Sequence, residues 1–118
     1  MSKLDRVEST ALRTLNEIYR MEVRDKAIGF MTITEVRITN DYSYLTIYYT
    51  VLGDESDKER ASEAMERSHK FVRARFANKM NLRKVPEFRF KYDESLNYGN
   101  RIEQGLKEVM KDEDKEKE

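Results

Sequence analysis

The sequence predicts a single α+β domain in which helices pack on one face of a three-stranded sheet. Apolar residues recur at steps of three and four in the helical segments, whereas three shorter segments are rich in β-branched or aromatic residues. The predicted order is helix, two strands, a long helical region, a third strand and a final helix. A chain of 118 residues is long enough for one hydrophobic core.

The first helix is predicted over about residues 3–23. Ser2 and Asp5 have the spacing of a capping box, and an apolar stripe follows them at helical spacing. The opposite face carries three arginines at heptad spacing, which are Arg6, Arg13 and Arg20. This row either contacts phosphate groups or is neutralised by nearby acids, which are Asp5, Glu17 and Glu22.

Two strands follow and are predicted to form an antiparallel hairpin. Residues 30–39 are rich in β-branched side chains, and the turn Asn40-Asp41 bounds them. Their alternation is imperfect, and a bulge near Thr34 or Glu35 would reconcile the two apolar faces. Residues 44–51 alternate cleanly, and the short connection between the strands indicates a hairpin.

A long helical region follows the turn at residues 53–57. Ser56 and Glu59 have capping-box spacing and are predicted to start the helix, and Asn81-Leu82 are predicted to end it. Two successive apolar stripes differ in direction by roughly 70°, taking 100° per residue. A bend near Ser68–Lys70 would turn both stripes toward one core, and a curved helix could absorb the same drift.

The third strand begins after Pro86, which restricts the residue before it to extended geometry. Its buried face is predicted to consist of Phe88, Phe90 and Tyr92. A polar loop at 93–99 and a helix at about 100–110 complete the predicted domain, 1–110. Residues 111–118 contain no apolar side chain and are predicted to be a disordered, charged tail.

Positive charge is concentrated between Arg67 and Lys91. This stretch contains nine Lys or Arg and one acid, Glu87, a net charge of +8 in a chain whose formal charge is zero. Such a cluster indicates a polyanion partner, for which RNA is the leading candidate. The alternative is an ordinary solvated helix face followed by a strand. The candidate RNA-binding cations are Lys70, Arg73, Arg75, Lys79, Arg83, Lys84, Arg89 and Lys91. Because no paired aromatics of the RNP type accompany them, they favour recognition of the shape and backbone of folded RNA.

The motifs of catalysis and of metal or cofactor binding are missing from the sequence. There is no cysteine and only one histidine, His69, and no nucleophile elbow, P-loop or dinucleotide fingerprint occurs. No apolar run reaches the roughly 18 residues that a membrane span needs, and the charged start is not a signal peptide. We therefore expect a cytoplasmic, monomeric protein without enzymatic activity, cofactor, membrane partner or small-molecule substrate.

The alternative is a protein-interaction module. In that case the acidic segment 54–66 or the charged tail would recruit a protein partner, and the basic stretch would be incidental.

Several segments resemble the ribosome-binding factor A family, in order and spacing, from about Lys3 to Leu106. Arg6-Val7 opens the first helix, and the strand–turn–strand core reads MTITEVRITNDYSYLTIYYTVLG. The most specific segment is FVRARFANKMNLRKVPEFRFKYDESL, and GNRIEQGL follows it.

The resemblance implies a type II KH-like fold and a function in ribosome biogenesis. It implies binding to 16S rRNA, late maturation of the 30S subunit including 5′-end processing of its RNA, and a link to cold adaptation. In this family an interhelical Ala-x-Gly kink replaces the Gly-x-x-Gly loop. The kink aligns with Ser68, His69 and Lys70, which adds Ser68 and His69 to the candidate RNA-binding residues. This chain has neither the alanine nor the glycine there.

A generic single-strand KH binder is a third option, and the absence of a Gly-x-x-Gly loop from the sequence counts against it.

Overall fold

The computed structural model describes residues 2–97, which form two helices and a three-stranded sheet. Short 3₁₀ helices lie at Lys26–Phe30, between the first helix and the hairpin, and at Glu94–Asn97, within the predicted polar loop at 93–99. The remaining elements are α1 (Lys3–Met21), β1 (Met31–Ile38), β2 (Tyr44–Val51), α2 (Glu55–Met80) and β3 (Glu87–Tyr92). The predicted C-terminal helix and tail lie outside the described residues. None of the helices within 2–97 has the length and apolarity to cross a membrane.

Helix α1 begins with the predicted capping box. The Ser2 side chain accepts a hydrogen bond from the Asp5 backbone N–H, and the Asp5 carboxylate accepts one from the Ser2 N–H. The helix ends at Met21, two residues before the predicted end. The Asn16 side chain donates to the carbonyl of Ile33 and accepts from the Ile33 N–H, both at 3.3 Å. This reciprocal pair fixes α1 against β1.

The hairpin β1–β2 is antiparallel and contains the predicted bulge. The pairing register shifts between Ile33 and Glu35, so one extra residue, Thr34, stands in β1. Because of that extra residue, Ile33, Val36 and Ile38 all reach the buried face of the sheet. The imperfect alternation of the sequence therefore corresponds to one continuous apolar face.

Strand β3 pairs with β2 in parallel, giving the sheet order β1-β2-β3. A parallel neighbour requires a crossover connection, and α2 provides it. The sheet face that packs against α1 and α2 carries the core, in which Phe88 contacts Phe76 with ring centroids 5.5 Å apart. The opposite face of the sheet lies away from both helices.

Helix α2 starts two residues earlier than predicted and with a different cap. Asp54, not Ser56, is the N-cap: its carboxylate accepts from the Asp57 N–H, and the Asp57 carboxylate accepts from the Asp54 N–H. The two pairs have the same sequence spacing, and the pair nearer the turn closes the box. The helix ends as predicted, at Asn81, whose left-handed backbone (φ 54°) caps it.

The two predicted apolar stripes of α2 belong to one unbroken helix. Ala61, Ala64 and Met65 of the first stripe and Val72 and Phe76 of the second are all buried. The helical assignment continues through the segment 68–70, so the predicted bend does not interrupt the helix. There the Ser68 hydroxyl donates to the Ala64 carbonyl at 2.7 Å, a back-bond that commonly accompanies helix curvature.

Candidate nucleic-acid interface

The sheet separates the basic stretch into two surfaces. Phe88 and Phe90 of β3 point toward α2, so the residues between and after them, Arg89 and Lys91, project from the opposite face and are exposed. Lys70 is exposed on the side of α2 away from the core. The cations that are contiguous in sequence therefore do not form one patch.

Arg73 is engaged with the backbone of the connector between α2 and β3. Its Nε donates to the Pro86 carbonyl at 2.9 Å, and its Nη2 donates to the Val85 carbonyl at 2.8 Å. The side chain is half-buried. These bonds hold the approach to β3 against α2, so Arg73 positions the connector.

Arg75 and Lys79 share a carboxylate from the other helix. Arg75 Nε lies 2.6 Å from Glu22 Oε1, and Lys79 Nζ lies 3.4 Å from Glu22 Oε2. Partial burial acts to raise the pKa of Glu22, but the hydrogen bond and the charges of Arg75 and Lys79 outweigh it and lower the pKa below its ordinary value. Both cations remain partly exposed. They are available at the surface, though partly neutralised.

His69, a candidate RNA-binding residue, faces inward. Its ring stacks on Phe88 at a centroid distance of 5.9 Å and meets Phe90 edge-on at 5.7 Å. The Nε2 atom is buried and has no hydrogen-bond partner within the described part of the chain. His69 therefore packs α2 against β3, whereas the Ser68 hydroxyl is hydrogen-bonded within α2 itself.

The connector and β3 supply the remaining cations. Lys84 Nζ lies 3.3 Å from the Ser43 hydroxyl and 3.5 Å from the Asp41 carbonyl, so it contacts the β1–β2 turn. The Arg89 guanidinium lies over the Tyr44 ring, 3.6 Å from its centroid. Within residues 2–97, three candidates are exposed and their side chains form no ion pair, hydrogen bond or ring contact: Lys70, Arg83 and Lys91.

The acidic groups have structural contacts of their own. Asp93 accepts from the Thr34 hydroxyl at 2.5 Å and from the Ser95 N–H at 2.9 Å, and these bonds lower its pKa. Asp54 and Asp57 of the acidic segment close the capping box of α2. Among residues 2–97, no three His, Asp or Glu side chains converge in a way that could hold a metal ion.

Comparison with known proteins gives a consistent result over most of the chain. The family model for Ribosome-binding factor A matches residues 3–106. The ribosome-binding factor A of Macrococcus caseolyticus is 39% identical over 108 residues, covering 92% of this chain and 95% of that protein.

Two structural comparisons agree with the sequence match. The crystal structure of ribosome-binding factor A from Thermus thermophilus superposes with a TM-score of 0.69 at 24% identity, covering 77% of this chain and 97% of that one. A homology model of the Thermus thermophilus factor, fitted into a cryo-EM map of its complex with 30S, superposes with a TM-score of 0.63 at 25% identity, covering 75% and 93% of the two chains. The KH-like fold that the resemblance implied is thereby confirmed. The chain belongs to the ribosome-binding factor A family.

Proposed function

We propose that this chain binds the 30S ribosomal subunit through 16S rRNA and assists its late maturation without catalysing a reaction. The observation that carries the proposal is its relationship to the Thermus thermophilus factor that was fitted into a map of a 30S complex. Family membership across residues 3–106 supports the same role. Processing of the 5′ end of the RNA, a cytoplasmic location, a monomeric state and a link to cold adaptation are parts of this proposal.

The proposed RNA contacts are ranked by the availability of each cation. Lys70 and Arg83 are exposed and have no partner within residues 2–97, so their full charge is available to phosphate. Arg75, Lys79 and Lys84 each have a partner within the protein. To bind phosphate, each must leave that partner or bind both groups at once. Ser68, His69 and Arg73 support the surface from beneath, and Arg89 and Lys91 extend contact to the open sheet face. Phe71 is 47% exposed beside Lys70 and offers a ring on which an unpaired base can stack.

Binding is tested by co-sedimentation with purified 30S subunits across a salt series. Replacing Lys70 and Arg83 by Gln should reduce the slope of log affinity against log salt by about 1.5, because two phosphate contacts are lost. The matched control replaces Lys26 and Arg60, an exposed lysine and an exposed arginine outside the stretch, by Gln. Wild-type binding that does not depend on salt, or equal effects of the two pairs, would contradict the proposed interface.

Maturation is tested in cells that lack their own member of the family. Expression of this chain should lower the fraction of 16S rRNA with an unprocessed 5′ end, as measured by primer extension. A chain that binds 30S subunits but leaves that fraction unchanged would keep the binding role and exclude the maturation role.

A further inference from the structure

The arginines within residues 2–97 divide into those with an internal partner and those without one. Six have partners, which are Arg37, Arg60, Arg67, Arg73, Arg75 and Arg89. Five have no ion pair, side-chain hydrogen bond or ring contact with another described residue, namely Arg6, Arg13, Arg20, Arg24 and Arg83. Unpartnered arginines therefore concentrate on and just after α1, outside the stretch with the highest sequence charge.

Most acids close to the α1 arginines have other hydrogen-bond or ion-pair partners. Asp5 closes the capping box with Ser2, and Glu22 holds two cations of α2. Glu8 accepts from the Ile38 N–H at 2.7 Å and pairs with Arg37. Glu17 is the one acid left on the arginine face, and it forms no ion pair within residues 2–97. Three arginines against one carboxylate leave this face positive.

The three arginines lie in a straight row along one helix. Arg6, Arg13 and Arg20 are all exposed on the face opposite to the buried stripe of α1. Seven residues of helix advance about 10.5 Å, so the row is about 21 Å long, and its direction drifts by only about 20° at each step. The capping box and the packed stripe fix α1, so the backbone that carries the three side chains needs no further ordering before they bind.

We propose that the row Arg6–Arg13–Arg20 is a second contact for the sugar-phosphate backbone of folded RNA, additional to the surface around Lys70 and Arg83. The inference rests on the proposed binding to the 30S subunit. Each guanidinium group can bond phosphate oxygens, and the row presents three of them along one line to a charged backbone. The side chains between them on this face are polar: Ser9, Thr10 and Glu17. A protein interface would be expected to place apolar or aromatic anchors there.

The arginine row and Lys70 lie on the same side of the sheet. Helices α1 and α2 pack against each other and on the same face of the sheet, and the arginine row and Lys70 both lie on the sides of their helices away from the core. A single folded RNA element can therefore touch both helices.

The test measures binding to purified 30S subunits between about 50 and 200 mM salt. Replacing Arg6, Arg13 and Arg20 by Gln should weaken binding about 10- to 100-fold at the lower salt and reduce the salt slope by two to three. The matched control removes three arginines that already have acidic partners, Arg37, Arg60 and Arg67, in the same way. Replacing the row by Lys should restore most of the slope, because lysine also neutralises phosphate. Circular dichroism establishes that each variant is folded.

Two results would overturn the inference while leaving the proposed function intact. Equal losses in the row variant and the control would show a long-range effect of net charge, without local contact. A loss of affinity with an unchanged salt slope would assign the row to a ribosomal protein. Absence of salt-dependent binding by the wild-type chain would instead overturn the proposed function.

Discussion

Replacing Arg73 by Ala should lower the free energy of unfolding. It should not remove a direct contact with RNA, because the guanidinium is bonded to the backbone of the connector. The guanidinium donates two hydrogen bonds to the carbonyls of Val85 and Pro86, at 2.8 and 2.9 Å. A hydrogen bond from a charged donor contributes about 1.5–3 kcal/mol, and water can partly replace both bonds at this half-buried position. We therefore expect a loss of about 2–4 kcal/mol, a large share of the roughly 5–15 kcal/mol that stabilises a typical domain.

The assay is urea unfolding followed by far-ultraviolet circular dichroism. The matched control is Lys70→Ala on the same helix, which removes an exposed cation without a partner in residues 2–97 and should change stability by at most about 0.5 kcal/mol. Arg73→Lys should fall between the two, because one ammonium group cannot reproduce both bonds of the guanidinium. Equal free energies of unfolding for the Arg73→Ala and Lys70→Ala variants would refute the role of Arg73 in holding the connector against α2. Loss of 30S binding at unchanged stability would identify Arg73 as an RNA contact instead.

Two further substitutions test internal contacts of the basic surface. Glu22→Gln removes the carboxylate that pairs with Arg75 and Lys79. Binding to the 30S subunit should then tighten severalfold, and its salt slope should steepen by about one to two. A slope equal to that of the wild type would show that neither cation contacts phosphate. The same change should lower the free energy of unfolding only slightly, because both ion pairs are partly exposed. His69→Phe retains a ring against Phe88 and removes a buried nitrogen that has no partner in the described residues, so the free energy of unfolding should rise by about 1 kcal/mol in urea titration. A destabilised His69→Phe variant would mean that the nitrogen is hydrated in solution.

Local chemistry made several features predictable from the sequence. The reciprocal cap of Ser2 and Asp5, the bulge between Ile33 and Glu35, and the end of α2 at Asn81 are each marked by residues within a few positions of one another. Such short-range patterns determine backbone conformation nearly independently of the rest of the fold. The start of α2 was missed because two equally spaced pairs compete there, and the structure uses Asp54.

The internal partners of the candidate RNA-binding residues were not predictable in the same way. The partner of Arg75 is Glu22, 53 positions earlier in the chain, and only the packing of α1 on α2 brings them together. The inward direction of His69 likewise depends on the parallel placement of β3, which the alternation of Phe88 and Phe90 does not reveal. Sequence identified where positive charge accumulates, but not which cations remain available to a partner.

The parallel pairing of β3 has a consequence for the order in which the chain can fold. From Val51, where β2 ends, to Glu87, where β3 begins, the chain must first build the whole of α2. During synthesis, β2 therefore emerges with one edge unpaired and stays so until the residues up to Tyr92 have left the ribosome. An unpaired edge is a template for association with other strands. The charged first turns of α2, made before β3, give the nascent chain soluble surface during that interval.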